Sequence, residues 1–154
     1  MESKELLDAL GKRLNIELSF DRDGVCTLNV DGMIVMLSDV AETYSIGILG
    51  EIGEPPPQQG LERLLLAMLN ANHCFRGTGG ATLSRDPANG RFYLCRTLDV
   101  RRLDGEEFFS AIESFVNTQE MWRKLVVDFR RGGSSDVVAD AERPSFGADG
   151  FLSV

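Results

Sequence analysis

The segment from Asp104 to Gly132 constrains this chain more than any other. Asp104 with Glu107 three residues later is a capping box, and Arg130-Arg131-Gly132-Gly133 supplies basic residues and then a glycine stop. Between these signals Phe108, Ile112, Phe115, Trp122, Val126 and Phe129 recur at spacings of three and four, with Gln119 filling the one gap in the series. The spacing predicts a helix of about 25 residues, nearly 40 Å long at about 1.5 Å per residue. A stripe of this kind is core packing rather than a cofactor box.

The rest of the chain supplies short strands and two more helices. Ser3 to Leu14 reads as a helix with Ser3 as N-cap, with Leu6, Leu7, Leu10 and Leu14 on one side and Asn15 as a left-handed stop. Ile16, Leu18 and Phe20 alternate with polar residues and predict a strand. Val25 to Val30 predicts another, and Asp31-Gly32 is a two-residue hairpin signal leading into Met33 to Leu37. A further extended stretch runs from Thr43 to Leu49. The connections are too short for parallel crossovers, so these strands form an antiparallel meander. After the stiff Pro55-Pro56-Pro57 connector, Gly60 to Asn72 predicts a second helix, apolar over more than one stripe and therefore buried on more than one side. The simplest cover for it in so small a domain is a partner subunit. Ala81–Arg85 and Arg91–Leu98 form a hairpin about Asn89-Gly90.

Composition narrows the function. The 154 residues fit one domain over 1–131, followed by an acidic tail over 132–154 that is expected to be disordered. With 24 acidic against 16 basic residues the net charge is −8, which argues against nucleic acid or an anionic membrane as partner. No apolar run approaches the roughly 20 residues that span a bilayer, and the charged start lacks a signal-peptide core. Cys26, Cys74 and Cys95 have no ligand-like spacing and read as reduced, mostly buried thiols of a cytosolic protein. His73 is the one histidine, and its adjacency to Cys74 does not make a catalytic pair, because neighbours on a helix point apart. The Gly77-Thr78-Gly79-Gly80 stretch lacks the Lys-Ser/Thr of a phosphate loop. No catalytic, metal or cofactor motif survives, and an enzyme is not expected.

Several strings in this order resemble a known family: Leu6-Leu7 with Leu14, Leu18-Ser19-Phe20, and Cys26 to Asp31 before an apolar strand. Leu69-Asn70-Ala71-Asn72 followed by Phe75, Gly79-Gly80 and Ala81, then Asn89-Gly90 and a long helix carrying Phe115 and Trp122-Arg123, continue the match. The chain resembles the class I effector chaperones of bacterial type III secretion, the Tir chaperone (CesT) family, over residues 3 to 131. The resemblance implies an α+β fold of order α-β-β-β-α-β-β-α, with helices packed on a twisted antiparallel sheet, in a cytosolic homodimer. It implies binding of the N-terminal chaperone-binding segment of a secreted effector in extended form, which keeps the effector soluble and competent for delivery to the secretion apparatus; components of that apparatus are further candidate partners. By the same analogy Leu61, Leu64, Leu65, Met68 and Leu69 become dimer-interface candidates.

Strand patterning adds a candidate effector-binding patch. Met33 to Leu37 is apolar at every position, where a sheet with one solvated side should alternate. A second sheet face carrying Val25, Met33, Val35, Leu37 and Leu49 is therefore expected to be apolar and exposed, with Leu18 and Phe20 joining the patch. A covered central strand is the open alternative. A chaperone-fold dimeric adaptor or regulator, sequestering a partner other than an effector, is the second functional reading.

Overall fold

The computed structural model describes residues 1–132, so the tail expected over 132–154 lies, apart from Gly132, outside the described residues. Its helices are α1 (Ser3–Leu14), α2 (Gln58–Asn72) and α3 (Gly105–Arg130). Its strands are β1 (Val25–Val30), β2 (Met33–Val40), β3 (Ser45–Gly53), β4 (Thr82–Arg85) and β5 (Phe92–Asp99), and short 3-10 turns cover Ala41–Thr43, His73–Phe75 and Val100–Arg102. The expected α-β-β-β-α-β-β-α order is the observed one. All pairings are antiparallel and the strand order is β1-β2-β3-β5-β4, leaving β1 and β4 as the edges.

The helices cover one face of this sheet. The α3 stripe of Phe108, Ile112, Phe115, Gln119, Trp122, Val126 and Phe129 is buried throughout, as its spacing predicts. The capping box forms as read: Asp104 N–H donates to Glu107 Oε2 (2.9 Å) and Glu107 N–H to Asp104 Oδ1 (2.8 Å). Trp122 Nε1 donates to Gly77 O (2.9 Å) and so ties α3 to the turn that follows α2. α1 lies against α3, where Arg13 pairs with Glu106 and stacks 4.6 Å from the centre of the Phe109 ring.

Gln119 has a role beyond filling the stripe. It is fully buried, and its Nε2 donates to Ile34 O of β2 and Glu51 O of β3, both at 3.1 Å. These carbonyls lie one step beyond Val35↔Gly50, the last β2–β3 pair, where the β3–β5 register also shifts between Glu51 and Gly53. The amide thus satisfies two acceptors at the point where the ladder opens. Gly50 makes room for it, since a Cβ there would lie 2.5 Å from the amide carbon. Gln119 Oε1 has no partner among the described residues, a cost of about 1–3 kcal/mol that the two donated bonds must outweigh.

The N-cap of α1 is Glu2, in a capping box with Glu5, rather than Ser3, which is the first residue of the helix. Two larger differences concern strands. Ile16 to Phe20 is not a strand. Asn15 adopts the left-handed conformation (φ 54°) and Ile16 N–H bonds back to Gly11 O at 3.0 Å, so the chain leaves α1 by folding over its last turn. A Cβ on Gly11 would meet Ile16 O at 2.8 Å. Leu18 and Phe20 then pack half-buried against the core without joining the sheet.

The second correction concerns the sheet faces. Asp31 (φ 51°) and Gly32 (φ 81°) form the two-residue turn, and Gly32 N–H donates to Asn29 Oδ1 at 2.9 Å. The turn pairs Val30 with Met33, hence Leu28 with Val35 and Cys26 with Leu37. Met33, Val35 and Leu37 therefore share the covered face with Cys26 and Leu28, and they are 7%, 0% and 0% exposed. They are core residues, not an exposed patch.

Replacing Gln119 by Ala leaves Ile34 O and Glu51 O unpaired beside a cavity, and is expected to lower unfolding free energy by about 2–4 kcal/mol. Gly50→Ala is expected to destabilise through its clash with the amide. In the double variant the two losses sum to less than their total, because the clash is gone. Denaturant melts of the four proteins check this, and strict additivity would separate the two sites.

Candidate functional site

With three helices on one face, the other face of the sheet has no cover among the described residues. Its side chains are those between the core positions: Val25 and Thr27 on β1, Ile34 and Met36 on β2, Leu49 on β3 and Cys95 on β5. Cross-strand pairing places Thr27, Met36, Leu49 and Cys95 in one row across four strands. Ile34 is 47% exposed and Met36 37% exposed, whereas Val25 and Leu49 are half-buried by their neighbours. Of the predicted patch, the structure keeps Val25 and Leu49 on this face. Ile34 and Met36, which the sequence reading missed, replace Met33, Val35 and Leu37. The hairpin turn held the missing signal, since a two-residue loop fixes which residues lie opposite each other.

The face continues to an open edge. Val30 and Met33 close the hairpin as a hydrogen-bonded pair, so alternation turns the main-chain groups of Val25, Thr27 and Asn29 away from β2. Asp21 occupies those of Val25: Val25 N–H donates to Asp21 Oδ1 (2.9 Å) and Asp21 N–H to Val25 O (2.8 Å). At Thr27 and Asn29 no described strand lies beyond β1.

A second surface is a groove of about 700 Å³ between α3 and the tip of the β1–β2 hairpin. Leu14, Val30, Met33, Phe109, Val116 and Val127 give it apolar walls, and Glu113, Arg123, Lys124 and Asp128 a mixed-charge rim. Met33 thus touches a candidate site from the core side. Leu18 lines a separate shallow hollow beside the end of α1.

The third surface is the outer side of α2. Its inner side buries Leu64, Ala67, Met68 and Ala71, while Leu65, Leu66 and Leu69 are exposed, Leu69 by 67%. Phe75, in the following turn with a left-handed backbone (φ 56°), adds an exposed ring. The predicted interface residues therefore divide. Leu65 and Leu69 are on the open side, Leu61 is half-buried against the core, and Leu64 and Met68 belong to this chain's own core. Leu66 and Phe75 join the open side.

His73 and Cys74 both lie exposed in the same turn, so Cys74 is not the buried thiol expected, and Cys95 is half-buried. Cys26 is buried. Burial pushes its thiol up, a nearby Ser19 backbone hydrogen bond opposes this, and the Asp21 carboxylate adds to the rise. Among the described residues no cluster of three or more His, Cys, Asp or Glu is placed to hold a metal ion, and no helix is long and apolar enough to cross a membrane.

Among the described residues, the site is thus an antiparallel sheet with one helix-covered face, one uncovered face bearing Ile34 and Met36, and an open edge at β1. The family model of the Tir chaperone protein (CesT) family matches residues 5–123, and the chain belongs to that family. A search of the curated proteins found no match. Among solved structures, a chain of the HopA1-SchA chaperone-effector complex is similar at TM-score 0.64 and 21% identity, over 77% of this chain and 91% of that one. A chain of the ExsC-ExsE complex is similar at TM-score 0.65 and 20% identity, over 82% and 97%. One from the ExoT-SpcS complex of Pseudomonas aeruginosa gives TM-score 0.60 and 18% identity, over 77% and 94%. At these identities the likeness is one of fold.

Exposure of the thiols makes this placement testable. Iodoacetamide on the native protein is expected to modify Cys74 first, Cys95 more slowly, and Cys26 only on unfolding. Mass spectrometry of timed samples reads the order, and early labelling of Cys26 would contradict its burial.

Proposed function

We propose that this protein is a dimeric effector chaperone. It binds the N-terminal segment of one or more secreted effectors in extended form and keeps them soluble and export-competent in the bacterial cytosol. The observation that carries this reading is the face, uncovered among the described residues, on which Ile34 and Met36 are exposed beside the half-buried Leu49, next to the open edge of β1. Apolar faces without cover mark interaction sites, and a methionine accommodates partners of different sequence. An extended segment satisfies both halves of such a site: its main chain pairs with the outward groups of Thr27 and Asn29, and alternate side chains lie on the apolar row. Ordering the segment costs about 2–5 kcal/mol or more, which burial of 1,000–3,000 Å² offsets. The groove beside α3 extends the surface available to a long segment. No bond is made or broken, so the mechanism is binding alone.

Dimerisation through the open side of α2 completes the reading. Leu65, Leu66, Leu69 and Phe75 would be buried between two copies, as the all-round apolarity of this helix predicts. The net charge of −8 on each chain keeps such a dimer soluble despite its patches and favours effectors with basic segments. Components of the secretion apparatus are the expected further partners.

Ile34→Asp and Met36→Asp are expected to fold and dimerise as the parent does, and to lose effector capture by at least about tenfold. Val35→Asp, by contrast, places a charge in the core and is expected to unfold the chain. Leu69→Asp is expected to give a particle of 17.0 kDa in light scattering instead of twice that mass. Co-expression with the N-terminal part of a secreted protein encoded nearby is expected to give a 2:1 complex. A dimer that ignores every such segment and retains a folded regulator instead would move the assignment to the adaptor reading.

A further inference from the structure

The sheet has two edges, β1 and β4, and an edge strand accepts any extended chain unless something blocks it. The two edges of this sheet are treated differently. On β4, Thr82 and Ser84 turn their main-chain groups to Cys95 and Tyr93 of β5, so those of Leu83, in the middle of the strand, and of Arg85, at its end, point outward. The outward groups of Leu83 are the central ones of this edge. They are fully used: Leu83 N–H donates to Asn72 Oδ1 (2.8 Å), and Asn72 Nδ2 donates to Leu83 O (3.0 Å). Just before the strand, Ala81 N–H donates to Thr78 O (3.1 Å). Asn72 is the last residue of α2, and its side-chain amide meets β4 with the donor–acceptor pair that another strand would present.

We infer that Asn72 is an edge lock: it closes β4 to strand addition, so that an extended segment joins the sheet at β1 and the β4 edges of two copies do not pair. This rests on the strand-addition reading given above, and it assigns the choice of edge to one residue. An amide is required. A carboxylate keeps an acceptor for Leu83 N–H but loses the donor to Leu83 O, and an apolar residue loses both.

The test uses the full chain without any effector. Asn72→Ala is expected to speed amide exchange at Leu83 roughly five- to tenfold, the loss of about one hydrogen bond. It is also expected to show concentration-dependent growth beyond the parent particle size in light scattering. Asn72→Asp should fall between Asn72→Ala and the parent, and it carries the same two readouts if Asn72→Ala does not fold, as judged by circular dichroism and Trp122 fluorescence. A folded variant with Leu83 exchange and particle size unchanged would overturn the lock. Thr27→Pro, which removes an outward N–H of β1, separates this from the underlying reading. Pull-down of a recombinant N-terminal segment of a secreted effector should fail with it while Leu83 protection stays at the parental level. If capture persists, strand addition at β1 is wrong, whatever Asn72 does at β4.

Discussion

The amide of Gln119 is the contact on which the sheet's geometry turns. The 26-residue α3 packs on β3 at the middle of the sheet, and there Gly50 removes a side chain so that a polar group can enter. Two donated bonds hold β2 and β3 together where their own ladder ends. From that fixed point, Trp122 reaches the turn after α2, and Phe108 and Ile112 reach the core beside α1. Among the described residues the opposite face of the sheet is left uncovered, because all three helices are engaged on this one.

Much of this was legible in the sequence, and the failures have identifiable causes. Both hairpin turns, the Asn15 stop and the α3 stripe with its capping box all follow from local signals, and the resemblance supplied the element order. Ile16 to Phe20 alternates like a strand, yet the closure of Ile16 onto Gly11 redirects the chain, a tertiary choice that periodicity does not carry. The uniform apolarity of Met33 to Leu37 was rightly unusual, but the identity of its outward members was misread. Val30 opposite Met33 settles the parity, and the Asp31-Gly32 turn contained that information.

The apolarity of α2 has a parallel explanation. One stripe, with Leu64 and Met68, serves the core, and a second, with Leu65 and Leu69, is left over. Composition shows that both exist, but only the packed structure shows which leucine belongs to which. The same holds for Asn72, whose place in the sequence resembles a helix end and whose partner is eleven residues away.

The separation of the two sheet faces has a consequence for how such a protein changes over time. Each strand of the β1–β3 meander spends alternate residues on folding and leaves the others without a debt to the interior. Ile34, Met36 and Thr27 can be exchanged without opening a cavity, so this exposed face can change by single substitutions while the scaffold stays intact. A one-residue slip of β2 against its neighbours would do the opposite, sending Met33, Val35 and Leu37 outward and Ile34 and Met36 inward in a single step.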